Sequence, residues 1–514
     1  MVRQRDATSA SEVAAARLRR AATTASASAC VTKSDEAISA RAASGSKSMS
    51  EGASSSSAPA PPPRRLNIVV NGCGHGELDS LYNSVARLEA AHGVKVDVLL
   101  ICGDFQAVRN QADLSTMACP PKYRAMNSFW RYYSGEKVAP VLTIFIGGNH
   151  EASNHNLELY YGGWAAPNIY FLGFAGVVSV GGVRIGGLSG IYNRRHYHHG
   201  HFEAPPFSDD DMRSVYHVRE LEVVRLLALR RPIDVFASHD WPQHVARHGD
   251  MQGLIRRKSF LQGELSSGSL GSPPAAQLLH KLQPSFWFAA HLHVKFAAVV
   301  QHDVHRYTVE HDTHLGAPQR PGGPRVTRFL SLDKCLPNRD FLQLIQVDGD
   351  GSPPVLKYDA EWIAVLKSTA PLFSTRRGAV PLDAASLAAA CGGRTDFTPT
   401  DDECAAVEAC AGGDLTVPAN FAITAPPHRA GDPLAPQPSL VESPQTAAFV
   451  ATFGLPAGFR TQGGPPPRAP PPPQPPPPQR PPQPPAGPPP PPPGALFGAP
   501  PVVLDSEEIE LGDD

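Results

Sequence analysis

LNIVVNGCGHGELD, residues 66–79, is the stretch on which the reading of the fold turns. Leu66 to Val70 is a short continuous apolar run, the pattern of a strand buried on both faces. It ends in Gly72-Cys73-Gly74-His75-Gly76, where three glycines allow a tight turn. Cys73 and His75 therefore belong to a loop at the carboxyl end of a strand, where open α/β sheets carry their sites. A thiolate and an imidazole at such a place are two ligand types for a metal ion, half of a set.

The same punctuation recurs along the chain. Val96–Cys102 is an apolar run followed by Gly103-Asp104, and Val141–Ile146 is followed by Gly147-Gly148-Asn149-His150-Glu151. Ile233–Ser238 ends in His239, and Phe286–Ala290 ends in His291-Leu292-His293. Between these runs, Ser80–Ala91 and Arg219–Arg230 carry apolar residues at helical spacing, with Asp79 expected to cap the first, and Ala276–Leu282 reads as a further helix. Alternating strands and helices define an α/β fold. Val177–Ile185 and Leu188–Tyr192 are expected as β segments, Val326–Cys335 and Phe341–Val347 as strands joined by a turn, and Asp359–Ser368 as a short helix.

Five strand ends thus carry ligand types: Cys73 with His75, Asp104, Asn149 with His150, His239, and His291 with His293. The chemistry that needs such a set is phosphoester hydrolysis. One or two divalent cations supply a nucleophile at neutral pH and neutralise phosphate charge. Asp104 is the candidate to bridge two ions, and the imidazoles suit Zn-, Fe- or Mn-type ions. Asn149 contributes a carbonyl oxygen, and His150 is the extra histidine, suited to protonate a leaving oxygen. His291-x-His293 reaches both ions only if Leu292 turns the chain.

Composition bounds the rest. The 514 residues include 55 prolines and carry a net charge of −2, so no global basic field marks a nucleic-acid partner. No apolar run approaches the length of a membrane span. Eight cysteines, scattered without CxxC pairs, fit a reducing compartment. Residues 1–64 are Ser/Ala-rich and expected to be a disordered extension; residues 456–514 are expected to be a disordered Pro-rich tail with an acidic end, open to SH3- or WW-type partners. Asn193–Phe202 (NRRHYHHGHF) is basic and aromatic.

The order GxH, GD, GNHE, a lone His and HxH resembles the calcineurin-like metallophosphoesterases. The wording resembles one of their families, the RNA lariat debranching enzymes. The matching stretches include GCGHGELD (72–79), CGDFQAVRN (102–110), FIGGNHEASNH (145–155), YGGWAAPNIYFLG (161–173), SHDWP (238–242), AHLHVKFAA (290–298) and LDKCLPNRDFLQ (332–343). The resemblance implies an α-β-β-α sandwich over residues 65–300 and a smaller C-terminal domain over 325–455. It implies hydrolysis of the 2′-5′ phosphodiester at the branch of excised intron lariats, in the nucleus. It also implies a first metal position of Cys73, His75, Asp104 and His293, a second of Asp104, Asn149, His239 and His291, and His150 as the catalytic histidine. Cys73 stands where most metallophosphoesterases have Asp, which makes the first position softer. A lariat-recognition loop is implied at about 189–219, with Tyr192, Arg194, Arg195, Tyr197, His201 and Phe202 as substrate-binding residues. The alternatives are a generalist phosphoesterase and a non-catalytic scaffold. A scaffold is disfavoured because every expected ligand position is filled.

Overall fold

The structure, a computed structural model, describes residues 64–302 and 326–456. The expectations for residues 1–63 and 457–514 lie outside the described residues.

Thirteen strands are described: β1 (Arg65–Asn71), β2 (Val98–Ile101), β3 (Leu142–Phe145), β4 (Gly163–Ala166), β5 (Ile169–Phe171), β6 (Ala175–Val180), β7 (Val183–Leu188), β8 (Val235–Ser238), β9 (Phe286–Ala289), β10 (Phe296–Gln301), β11 (Val326–Ser331), β12 (Leu342–Asp348) and β13 (Leu356–Tyr358). They form two sheets, one ordered β12-β1-β2-β3-β5-β4 and one ordered β10-β11-β9-β8-β7-β6-β13. Within each, the central strands are parallel: β1, β2, β3 and β5 in the first, β7, β8, β9 and β11 in the second.

Side-chain alternation along the strands makes the layers. Ile68, Val70, Val98, Leu100 and Ile144 face Ile185, Val235, Ala237 and Phe288, so the two sheets pack face to face. The intervening residues of the first sheet, Val69, Leu99, Ile101 and Phe145, pack outward on Leu78, Leu81 and Val85 of the helix Leu78–His92. Phe236 and Trp287 of the second sheet pack outward with Leu226, Leu278, Leu282 and Ile363, which lie on the helices Glu220–Leu227, Pro273–Leu282 and Ala360–Ser368. The result is an α-β-β-α sandwich. Parallel register sets Asn71 beside Ile101 and Ile101 beside Phe145, and Leu188 beside Ser238, so each sheet has one edge made of strand carboxyl ends.

Several expectations are corrected. Val177–Ile185 is not one segment: Gly181 and Gly182, both with positive φ, turn β6 into β7. Leu188 closes β7, and beyond it Ile191 makes only an isolated bridge to His217. β11 and β12 are not a hairpin; β11 lies between β10 and β9, and β12 flanks β1 in the other sheet. Residues 332–341 therefore cross from sheet to sheet. Asp79 does not cap its helix: its carboxylate takes Tyr132 Oη at 2.6 Å, Lys137 Nζ at 2.5 Å and Arg131 Nη1 at 3.2 Å, and Glu77 holds the cap position.

Candidate metal centre

The strand carboxyl ends deliver the candidate ligands to one cluster. Cys73, Asp104 and His239 are fully or almost fully buried, as are Asn149 and His293, whereas His75, His150 and His291 keep part of their surface. One ligand atom from each of Cys73, His75, Asp104 and His293 lies within 4.8 Å of the others. His75 Nε2 stands 3.4 Å from His293 Nε2 and 3.8 Å from Asp104 Oδ2. The other carboxylate oxygen faces a second group: His239 Nε2 is 3.3 Å from Asp104 Oδ1 and 3.2 Å from Asn149 Oδ1. The His291 ring lies beside it, 5.1 Å from the His239 ring. All seven candidate ligands thus converge, with Asp104 between two sets.

Backbone geometry pays for none of this cheaply. His75, Asp104, His291 and His293 all have φ between 45° and 63°, a region costly for residues with a side chain and concentrated at functional sites. The expected turn in His291-Leu292-His293 comes from the two histidines, with the Leu292 N–H reaching back to the Ala290 carbonyl at 2.7 Å.

Neighbouring groups orient the ligands. His239 Nδ1 lies 2.8 Å from the Cys102 carbonyl, so it carries a proton, and Nε2 is the nitrogen that faces Asp104 and would turn its lone pair to an ion once its own proton is displaced. The Gln106 amide sits 3.1 Å from His75 Nδ1. Glu151, the residue after the GNH run, was given no role in the sequence reading. Its buried carboxylate accepts the N–H groups of Phe105 and Gly148 on Oε1 and of Gln106 on Oε2, at 2.8–2.9 Å, tying two ligand loops together. Its place immediately beside His150 was the available signal.

The electrostatics suit a cation. Burial pushes the Asp104 carboxyl up, but His239, His150 and His75 around it outweigh burial and hold it well below the usual carboxylate range. Burial, then His239, drives His291 down to about 3; burial, then His75, drives His293 down too. Both imidazoles are therefore neutral, the form that binds metal. Burial and then Asp104 push the Cys73 thiol up, a cost that a bound cation reverses. His150 donates its backbone N–H to Asp104 Oδ1 at 2.9 Å, while its ring Nδ1 is buried without a partner. Softness, charge and donor count fit one or two divalent transition ions.

The C-terminal part reaches the same centre. The Cys335 N–H donates to the Cys73 carbonyl at 3.2 Å and the Gly72 N–H to the Phe341 carbonyl at 3.1 Å.

The calcineurin-like phosphoesterase pattern matches residues 66–295, and that of the lariat debranching enzyme C-terminal domain matches residues 324–458. The chain is 50% identical to the lariat debranching enzyme of Danio rerio over 76% of this chain and 66% of that one. It is 48% identical to that of Homo sapiens over 76% and 69%, and 52% identical to that of Arabidopsis thaliana over 61% and 70%. This chain belongs to the lariat debranching enzyme family. It spans about two thirds of the length of these relatives.

Within the debranching-enzyme framework, the expected recognition loop leaves the rim directly. The Gly190 N–H donates to the Gly147 carbonyl at 2.9 Å, and the Tyr192 N–H to Asp240, next to His239, at 3.2 Å. Arg194 and Arg195 are exposed, and Tyr192 and Tyr197 are half-buried with ring centroids 5.6 Å apart. Phe202 is half-buried. His201 is a correction. It is 3% exposed, and its Nε2 is 2.9 Å from Glu222 Oε1, in a buried network with Tyr160 and Arg225. It supports the loop from inside and offers RNA no surface. The histidine-rich composition of 196–201 concealed this split between outward and inward residues.

Proposed function

We infer that this chain is a metal-dependent phosphodiesterase that hydrolyses the 2′-5′ bond at the branch of excised intron lariats. The observation that carries the reading is the convergence of Cys73, His75, Asp104, Asn149, His239, His291 and His293 around one shared carboxylate, in a chain that matches both family patterns. Cys73, His75, Asp104 and His293 are assigned to one ion, and Asp104, Asn149, His239 and His291 to a second. When bound, such ions supply a nucleophile at neutral pH and Lewis acidity toward phosphate oxygens.

The residues of the chain do the remainder. Asp104 holds both ligand sets in register, and Glu151 fixes the loops that carry Asp104 and Asn149. His150, half-buried beside the cluster, is assigned to hand a proton to the departing 2′-oxygen as an oxygen from water joins phosphorus. Arg194, Arg195, Tyr192, Tyr197 and Phe202 are assigned to the RNA, by phosphate neutralisation and stacking. The ions are Fe, Zn or Mn in type. Because the substrate arises where introns are removed, the enzyme works in the nucleus, and the Pro-rich tail recruits SH3- or WW-type domains.

A generalist phosphoesterase is the competing reading, and no observation favours it. Turnover of a synthetic 2′-5′-branched RNA is compared with turnover of a linear 3′-5′ RNA and of p-nitrophenyl phosphate, alongside elemental analysis of anaerobically purified protein. Strong preference for the branched RNA is expected. Equal turnover of the three would refute branch specificity.

A further inference from the structure

The recognition loop does not stand alone. A segment of the C-terminal part, residues 374–380, is laid along its far limb. The Val380 N–H donates to the His198 carbonyl at 2.7 Å, and the His201 N–H donates to the Ser374 carbonyl at 2.8 Å. His199 and Ala379 form an antiparallel bridge between them. The approach is close enough to require glycine at 200, since a Cβ there would meet the Ser374 and Arg376 carbonyl oxygens at 2.6 and 2.9 Å. The two strips are one surface.

This segment brings two arginines to that surface. The Arg377 guanidinium lies 4.2 Å from the Phe202 ring centroid and pairs with Asp211 at 2.6 Å, yet its side chain remains 65% exposed. The Arg377 guanidinium therefore covers one side of the Phe202 ring. Arg376 is exposed, and its side chain makes no hydrogen bond or ion pair among the described residues; the same holds for Arg194 on the loop. Two nearby acids are engaged, Asp211 by Arg377 and Glu220 by His198 at 2.8 Å, while Asp209 and Asp210 on the same helix as Asp211 are exposed. Guanidinium groups left exposed without counter-ions suit phosphate, and their planes stack on unpaired bases.

We propose that residues 374–379 form a second strip of the branched-RNA surface. Arg376 takes a phosphate, and Arg377, backed by Phe202, stacks on a base flanking the branch. The inference rests on the debranching reading above, and it adds a substrate-binding role for the C-terminal part beyond its contribution to the sheets.

The test uses the full-length, metal-loaded protein with a short synthetic 2′-5′-branched RNA, comparing the parent with R376Q, R377Q and R377K. R376Q removes a side chain without internal bonds and so leaves folding intact. Its KM is expected to rise about three- to tenfold with kcat and metal content unchanged, and its salt dependence to flatten by about 0.7 in log–log slope, the loss of one phosphate contact on single-stranded RNA. R377K keeps the charge and loses the plane, so its KM rises with the salt slope retained. An active parent with R376Q and R377Q unchanged in KM and salt slope overturns the strip alone. A parent unable to cleave branched RNA overturns the functional reading and the strip with it.

Discussion

Gly148 offers a steric test of where Asp104 has to be. A Cβ built on Gly148 falls well inside van der Waals distance of Asp104 Oδ1 and of its backbone nitrogen, and 2.8 Å from His239 Cε1. Carbon needs more than 3 Å from an oxygen, so in Gly148→Ala the shared carboxylate or the 148 loop has to retreat by roughly 1 Å. Overpacking of this kind costs about 1–3 kcal/mol of stability. The same displacement at a reacting centre costs about 10²-fold in rate. Gly147→Ala is the control: its added methyl meets Asn156 Nδ2 at 3.2 Å and Ser189 Cβ at 3.5 Å, neither of them a candidate ligand. Neither glycine has a positive φ, so the contrast is one of space and not of backbone strain. Metal content by elemental analysis, branched-RNA turnover and thermal melting are measured on both. Loss of metal and rate in the 148 variant, with the 147 variant close to the parent, is expected. A Gly148→Ala protein that keeps both metal and rate would refute the placement of Asp104 between two ions.

His150→Ala is expected to lower cleavage by about 10²–10⁴-fold while metal content stays near normal; metal loss would instead make His150 a ligand. Asp104→Ala is expected to empty both positions, and intact loading by elemental analysis would refute its bridging role. Arg109→Met breaks a buried network in which the guanidinium binds Asp113 at 2.8 and 3.0 Å, Glu158 at 2.9 Å and Thr424 at 2.7 Å. It is expected to cost about 3–5 kcal/mol in denaturant unfolding, because two carboxylates are left without their cation; a cost below about 1 kcal/mol would contradict that assignment. A chain ended after residue 302 is expected to fail to fold, as read by circular dichroism and solubility, since β11 fills the place between β9 and β10. A soluble, cooperatively melting fragment would show that the second sheet closes without it.

The layers were legible because the strands that carry the candidate ligands are short, largely apolar and followed by glycine or a polar ligand type. Leu66–Val70, Val96–Cys102 and Phe286–Ala290 fell within a residue or two of β1, β2 and β9. The Gly181-Gly182 turn was missed because valines on either side continue the β pattern without a break, although paired glycines are a hairpin signal. Periodicity is also silent on which sheet a strand joins. Residues 326–347 read as two strands and a turn, which looks local, yet their pairing partners, β9 with β10 and β1, lie in different sheets.

That silence matters for the site. The candidate ligands were legible because metal chemistry restricts residue types and strand ends restrict positions. What holds them was not, because a backbone N–H or carbonyl has no signature in a sequence. The His239 tautomer is set by the Cys102 carbonyl, and the loop bearing Cys73 is held by Cys335 and Phe341, more than 250 residues away in the chain. Glu151 shows the intermediate case: its residue type was visible, but its task is to accept three N–H groups that any residues could have supplied. The softest candidate ligand, Cys73, is thus held by the crossing between β11 and β12. It follows that the C-terminal part belongs to the architecture of the candidate metal centre, through main-chain bonds that fix where residues 335 and 341 lie whatever their side chains.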